Sequence, residues 1–153
     1  MSETDRAENI RIRLFGLEDY ERVMELWTEG GLPLKPRGRD GSENIARQIG
    51  LANVRFFVAE EGEGGRVVGT VFATHDGRKG WINRLAVDAA FRRRGLGARL
   101  VRAAEEWLGS QGLDILACLI EEGNGVSMAV FEKLGYKKHP EIVYFAKRKY
   151  PGV

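Results

Sequence analysis

Apolar and polar positions recur along the first third of this chain with periods that separate strands from helices. The segment Ile10-Arg11-Ile12-Arg13-Leu14 alternates apolar and basic side chains, which is typical of a half-buried strand. Apolar residues at 17, 20, 23, 24 and 27 then follow a helical period, and two glycines at 30–31 end it. Residues 31–41 hold two prolines and three glycines and predict a loop. Ser42 is expected to cap a short helix that carries apolar residues at 45, 46 and 49.

The middle of the chain is patterned as three strands joined by tight turns. Residues 54–60, 67–74 and 81–87 are rich in β-formers and are separated by the glycine turns at 61–65 and 76–77, so we expect an antiparallel meander. Helical spacing returns over 95–108.

The last third of the chain completes one mixed sheet flanked by helices. A nearly continuous apolar run over 113–120 predicts a central strand that is covered on both faces. A helix over 126–134 and a final strand over 142–146 follow. Because a helix connects strands 81–87 and 113–120, these two strands should lie parallel and close. The fold class predicted from this order is α/β.

Composition narrows the class of protein. A chain of 153 residues fits one domain, and its net charge of +2 is too small for a chain-wide nucleic-acid binder. One cysteine, Cys118, excludes an internal disulfide, and with only His75 and His139 besides, the sequence argues against a zinc centre. No apolar run reaches the roughly 20 residues that cross a bilayer, and the acidic N-terminus is no secretory signal. A cytoplasmic setting without membrane contact is expected.

The most informative segment lies between the strand that ends at 87 and the helix that follows. Arg92, Arg93 and Arg94 directly precede Gly95, and Gly97 follows two residues later. A helix start carries unpaired N–H groups and the positive end of the macrodipole, glycines let a ligand approach the backbone, and arginines bind phosphate. The segment therefore predicts a diphosphate-binding loop, against the plainer alternative of a charged loop before an ordinary helix. It lacks the third glycine of a dinucleotide fingerprint and the Gly-Lys-Ser/Thr of a Walker loop.

These residues resemble a known family. The run Arg92-Arg93-Arg94-Gly95-Leu96-Gly97 matches the Gln/Arg-x-x-Gly-x-Gly/Ala signature of the GNAT superfamily of N-acetyltransferases, and so do the strand end Leu85-Ala86-Val87-Asp88 and the downstream Phe131-Glu132-Lys133-Leu134-Gly135-Tyr136. The chain is most similar to small bacterial acetyltransferases of the YpeA type. The resemblance implies a single GNAT domain over 1–153, with a mixed central sheet, flanking helices and two parallel strands that splay apart at their ends.

The resemblance also implies acetyl-CoA as cosubstrate and no metal. The pyrophosphate is expected on the N–H groups of residues 93–98, and the pantetheine arm in the gap between the splayed strands, next to Asn124. The residues expected to bind the cofactor are Leu85, Ala86, Val87, Arg92, Arg93, Arg94, Gly95, Leu96, Gly97, Ala98, Asn124 and Phe131.

The mechanism implied by the resemblance is direct attack of an amine on the thioester, which needs a base and is helped by an acid. The acid is commonly a tyrosine at the position of Phe131, and the alanine acetyltransferases place a glutamate where this chain has Leu119. Glu121, two residues further along the strand, is our first candidate for the catalytic base, against the alternative of a solvated strand end. Glu60 acting through water and His75 are weaker candidates.

Other residues have a structural reading beside a functional one. Cys118 is expected to be a small core residue and not a nucleophile. Asn83 either orients the acceptor or makes a local hydrogen bond, and Trp81 either packs or walls the acceptor site. Three basic residues in loop 31–41, namely Lys35, Arg37 and Arg39, would overhang that site and hint at an acidic acceptor, although a solvated loop explains them too.

The function predicted is therefore transfer of an acetyl group from acetyl-CoA to a primary amine of a small molecule or a protein N-terminus. The alternative is a catalytically silent acyl-CoA-binding sensor or partner module, which Phe131 and Leu119 favour because both stand where a catalytic side chain is usual. A homodimer through the C-terminal strands is possible on either reading, and nothing indicates a nucleic-acid partner.

Overall fold

One five-stranded mixed sheet organises the chain, and its strands follow each other in sequence order. The computed structural model describes residues 9–62 and 65–153. The elements are β1 (Ile10–Leu14), α1 (Tyr20–Glu29), α2 (Ser42–Ile49), β2 (Val54–Glu61), β3 (Val67–His75), β4 (Gly80–Val87), α3 (Leu96–Ser110), β5 (Leu116–Ala117) and α4 (Gly125–Lys133), with short 3₁₀ turns at Leu17–Asp19 and Ala89–Phe91. This arrangement confirms the α/β class and the antiparallel meander.

Helices cover both faces of the sheet. On one face, Leu100, Val101 and Leu108 of α3 and Phe131 of α4 are buried in one apolar cluster. On the other face, α1 and α2 pack a second cluster around Trp27. The apolar positions at helical spacing are those that reach the sheet, because only one stripe of each amphipathic helix can face it.

A bulge interrupts the pairing of β3 with β4. Thr70 pairs with Ala86 and Phe72 pairs with Asn83, so Val71 alone lies opposite two residues, Arg84 and Leu85. Arg84 has a positive φ of 56°. The extra residue bends β4 shortly before its carboxyl end.

The predicted parallel pair exists but is short. β4 pairs with β5 only through Gly80 with Leu116 and Trp81 with Ala117. Beyond this point the ladder ends, and one cavity is lined by residues 85–87 from the first segment and by Glu121, Gly123 and Asn124 from the second. The strand predicted over 113–120 is therefore wrong in length, because a ladder cannot continue where its neighbouring strand diverges. Ile115 and Leu119 are exposed, so this segment is not covered on both faces.

The strand predicted over 142–146 is also wrong. Ile142, Val143, Tyr144 and Phe145 are 66–89% exposed and belong to no strand of the described chain. Their side chains have strong β propensity, but a strand forms only where a neighbour supplies hydrogen bonds. Residues 137–141 do not bring this segment back to the sheet in the described structure.

Gly41 is the N-cap of α2, and Ser42 is the first helical residue without a capping side-chain bond, so the predicted cap is shifted by one residue. Within residues 9–62 and 65–153, no helix is long and apolar enough to span a membrane.

Candidate functional site

The loop between β4 and α3 presents the start of a 15-residue helix to solvent. Gly95 is the N-cap in the left-handed conformation, with φ of 75°, and Arg93 also has a positive φ of 64°. Asp88 holds the beginning of the loop, because its carboxylate accepts from the Ala90 N–H at 2.9 Å and from Arg22 at 2.6 Å. The first N–H groups of α3 have no partner inside the helix and are available to an anion.

A cavity of about 830 Å³ lies over this loop and continues into the gap beside the end of β4. The predicted cofactor residues that line it are Leu85, Ala86, Val87, Arg92, Arg93, Gly95, Leu96, Gly97, Ala98 and Asn124. Arg94 does not line it, and its guanidinium lies over the Phe91 ring, 5.5 Å from the centroid. The structure therefore gathers ten of the twelve predicted residues around one cavity.

Some residues that line the first cavity were not predicted from the sequence. Arg102 lines the same cavity as Ala98, four residues before it on α3. Helical spacing could have revealed Arg102, because residues four apart share a helix face. Glu29, Gly30 and Gly31 come from the end of α1. No local signal in the sequence connects them to the loop.

A second cavity of about 530 Å³ lies on the other side of the gap. Arg84 closes part of it, because its guanidinium donates to the Pro33 carbonyl at 2.6 Å and to Asp40 at 3.0 Å and lies 4.8 Å from the centroid of the Trp27 ring. Burial lowers the pKa of Arg84, and the Asp40 carboxylate partly offsets this effect. Arg84 thus fixes loop 31–41 beside the second cavity.

The lining of the second cavity is balanced in charge. Its charged residues are the cations Arg39, Arg84 and Arg148 and the carboxylates Asp40, Glu121 and Glu122. Lys35 and Arg37 do not line it. The basic loop therefore gives the cavity no net positive charge and does not support the preference for an acidic acceptor.

The two cavities meet at five residues. These are Leu32, Leu85, Glu121, Asn124 and Ser127, each of which lines both cavities. Asn124 is the N-cap of α4, and its Oδ1 accepts from the Ser127 N–H at 3.2 Å. Leu119 is tied to β4 because its N–H donates to Asn83 Oδ1 at 3.4 Å. Glu121 is thus the only predicted base candidate that borders both spaces.

The weaker base candidates lie elsewhere. Glu60 is buried under Arg11 and Arg13, accepts from the Gly65 N–H at 3.0 Å, and lines neither cavity. The His75 ring lies 5.7 Å from that of Trp107 and also lines neither cavity. Trp81 is likewise absent from both linings, which favours a packing role.

Neither Phe131 nor the tyrosine ring that it contacts supplies an acid to the cavities. Phe131 lines the second cavity only and contacts the ring of Tyr136 edge-on at 4.9 Å. Tyr136 donates to Glu105 at 2.9 Å, lines neither cavity, and has its pKa raised by burial and by this hydrogen bond. Burial raises the pKa of the Cys118 thiol to about 11, so the thiol is neutral near pH 7 and a poor nucleophile.

Among the described residues, no group of three or more metal-ligating side chains comes together.

Comparison with known proteins gives one consistent result. A model of the acetyltransferase (GNAT) family matches residues 20–136. The chain is 35% identical over 140 residues to an acetyltransferase, plu1384, of Photorhabdus laumondii, which covers 91% of this chain and 95% of that protein.

Solved structures share the fold at lower identity. An aminoglycoside acetyltransferase from an uncultured soil metagenomic sample, in complex with sisomicin, matches with a TM-score of 0.73 at 16% identity over 94% of this chain and 98% of that chain. PaiA N-acetyltransferase from Thermoplasma acidophilum, in complex with coenzyme A, matches with a TM-score of 0.68 at 20% identity over 84% of this chain and 89% of that chain.

Proposed function

This chain belongs to the acetyltransferase (GNAT) family, and we propose that it transfers the acetyl group of acetyl-CoA directly to a primary amine. The acceptor is a small molecule or a protein N-terminus. One observation carries this proposal: two cavities approach from opposite sides of the gap in the sheet and meet at residues that include a carboxylate, Glu121. A reaction between two substrates needs such a meeting point, because the reacting atoms must come within bonding distance.

The first cavity suits the donor. The unpaired N–H groups at the start of α3, with Arg92 and Arg93 beside them, would hold the diphosphate. A Cβ at Gly97 would lie 3.4 Å from Val130 and 4.0 Å from Val87, both of which line this cavity. The glycine therefore leaves this part of the cavity free for the diphosphate. Leu85, Ala86, Val87 and Asn124 would hold the arm that carries the thioester, which supplies an acetyl group activated for attack.

Glu121 is the proposed base. An acceptor amine is mostly protonated at neutral pH and attacks only after losing a proton. Glu121 borders both cavities, whereas its neighbour Glu122 lines only the second. Glu122 therefore serves as the matched control for a test of Glu121 as the base.

The test is release of free CoA thiol from acetyl-CoA across a panel of primary amines and N-terminal peptides. We expect turnover with at least one acceptor, a fall in kcat of about 10²-fold or more for Glu121→Gln, and little change for Glu122→Gln. CoA affinity by calorimetry should be the same in all three proteins. Equal kcat values for the two variants would contradict the role of Glu121.

The second candidate function is an acyl-CoA-binding module without turnover. Phe131 and Leu119 favour it, because neither side chain can donate or accept a proton. The same assay separates the two functions: tight CoA binding without thiol release for any acceptor would support the binding module and overturn the acetyltransferase.

We also propose that two copies associate through the C-terminal segment. Residues 142–145 are exposed and apolar, and β5 has only β4 as a neighbour in the described sheet, so each copy offers both an unpaired segment and an open edge. Light scattering should give a dimer for the wild type and a monomer for Phe145→Glu. Leu51→Glu, which charges an exposed leucine elsewhere, should stay dimeric. A wild-type monomer at micromolar concentration would refute the association.

The subfamily and the domain boundaries are inferred from the sequence motifs. Likeness to the YpeA type and a single domain over 1–153 are proposed on that basis, and a cytoplasmic location is proposed from the thiol of the single cysteine. A free Cys118 thiol fits a reducing compartment.

A further inference from the structure

Ser127 is a buried polar residue at the point where the two cavities meet. It lies in the first part of α4, is 8% exposed and lines both cavities. Asn124 Oδ1 holds its backbone N–H at 3.2 Å, which fixes the start of the helix. Within the described part of the chain, no hydrogen bond engages the Ser127 hydroxyl. This hydroxyl is not enclosed by protein, because it is absent from the buried polar atoms that lack a partner, so it is open to the cavities and free to bond a group that enters them.

The other residues at the meeting point cannot take this role. Leu32 and Leu85 are apolar, and an ionised Glu121 can only accept hydrogen bonds. The oxygen of Asn124 is occupied by the cap of α4, and its amide N–H donors are assigned to the arm of the cofactor. The hydroxyl of Ser127 is thus the donor placed where an acyl group passes from one cavity to the other.

We propose that Ser127 donates a hydrogen bond to the sulfur of the thioester as it leaves, which makes Ser127 a catalytic residue of the reaction. This inference rests on the proposed function. The acceptor nitrogen, after losing its ammonium proton to Glu121, forms a bond to the carbonyl carbon. The carbon–sulfur bond breaks and its electron pair stays on sulfur, where negative charge develops, while the nitrogen releases its second proton to water and becomes a neutral amide. A hydroxyl that donates to that atom stabilises the charge that develops there.

The proton of the Ser127 hydroxyl stays on oxygen throughout. An aliphatic hydroxyl is a much weaker acid than a thiol, whose pKa is near 8.5, so the released thiolate takes its proton from water when it takes one. Serine is therefore unchanged after each turnover and needs no second group to reprotonate it. Phe131 lies four residues further along α4, on the same helix face, and lines the second cavity. A hydroxyl added there would reach the same region.

The variant Ser127→Ala removes the donor and keeps the helix-capping N–H. We expect kcat to fall about 10- to 100-fold, in the lower part of the range for loss of one donor to a developing negative charge. The dissociation constant of CoA and the melting temperature should change little. Ser110→Ala is the matched control, since that hydroxyl bonds to the Trp107 carbonyl at the far end of α3, and it should leave kcat unchanged.

A second substitution tests whether the loss concerns the sulfur. Phe131→Tyr should restore most of the lost rate in the Ser127→Ala background, because either hydroxyl can serve. A structural role of Ser127 would give no such rescue. If Phe131→Tyr proves unstable, Ser127→Cys, of similar size but with a weak donor, should behave like Ser127→Ala.

The outcomes separate this inference from the function on which it rests. Wild-type turnover with a kcat of Ser127→Ala within twofold of the wild type overturns the role of Ser127 alone. A lower kcat with a parallel loss of CoA affinity or of folding, and without rescue, also overturns it. A wild type that releases no thiol with any acceptor overturns both proposals.

Discussion

The hydroxyl of Thr70 donates a hydrogen bond of 2.8 Å to the carbonyl oxygen of Arg84, across the bulge between β3 and β4. The same oxygen of Thr70 accepts from Trp27 Nε1 at 3.0 Å. Arg84 is the residue with positive φ in this bulge, and Leu85, which borders both cavities, follows it. The hydrogen bonds from Trp27 of α1 to Thr70 and from Thr70 to the Arg84 carbonyl thus replace the ladder hydrogen bond that the bulge removes.

Thr70→Val should destabilise the protein and weaken its cofactor site. Valine has the same shape as threonine but leaves two buried polar groups, the Arg84 carbonyl and the Trp27 N–H, without their partner, at a cost of roughly 2 kcal/mol in the free energy of unfolding. CoA affinity should fall as Leu85 shifts. Urea denaturation and calorimetry measure the two effects. Thr28→Val, on the exposed face of α1, is the control and should change neither.

Gly97→Val should block CoA binding while the fold survives. Gly97 has an ordinary helical conformation, and an added Cβ would make only normal contacts with Val130 and Val87. The two methyl groups of valine would enter the part of the first cavity at the start of α3, where the diphosphate is expected. We expect CoA affinity to fall at least 10-fold. Gly109→Val, where an added Cβ meets nothing within 4 Å, is the matched control. Equal affinities for the two variants would contradict a cofactor role of the loop.

Asn124 has two roles that different substitutions separate. Asn124→Asp keeps the oxygen that caps α4, so stability should hold, whereas loss of the amide donor and a new negative charge should weaken CoA binding. Asn124→Ala removes the cap as well and should cost about 1 kcal/mol in the free energy of unfolding. Thermal denaturation and calorimetry distinguish the effects. If Asn124→Asp binds CoA as the wild type does, Asn124 acts on the helix alone.

Asp19 should make stability depend on acid pH. Arg13 donates to it at 2.7 and 3.0 Å and the Gly16 N–H donates at 2.9 Å, and mainly the Arg13 hydrogen bond lowers its pKa. A carboxyl whose pKa is lowered by folding contributes stability above its unfolded pKa of about 4, and this contribution is lost as pH falls through the folded value.

The substitution Asp19→Asn tests this dependence. It should cost about 1–3 kcal/mol in the free energy of unfolding at pH 7. The difference from the wild type should shrink below about pH 4. Glu21→Gln, on the exposed side of α1, should change stability by less than about 0.5 kcal/mol at either pH. A pH-independent difference for Asp19→Asn would show that shape and not charge is responsible.

The sequence alone determined the local elements and the glycine-containing loop from which the family was predicted. The meander, α1, α3 and α4 agree with the predicted elements to within a few residues, because the periods of 2 and 3.6 record which side of each element is buried. The glycine-rich turn after Arg94 also follows from the sequence, since Gly95 adopts a left-handed conformation that few other residues tolerate.

Only the tertiary structure decided where separate segments meet. Leu32 and Ser127 are 95 positions apart in the chain and border the same two cavities, and no local pattern connects them. The bulge at Arg84 depends on the register with β3 and on a hydroxyl at Thr70. The apolar run at 142–145 has the composition of a strand, yet it stays exposed because strand formation needs a partner edge, which the chain does not bring to it within the described fold.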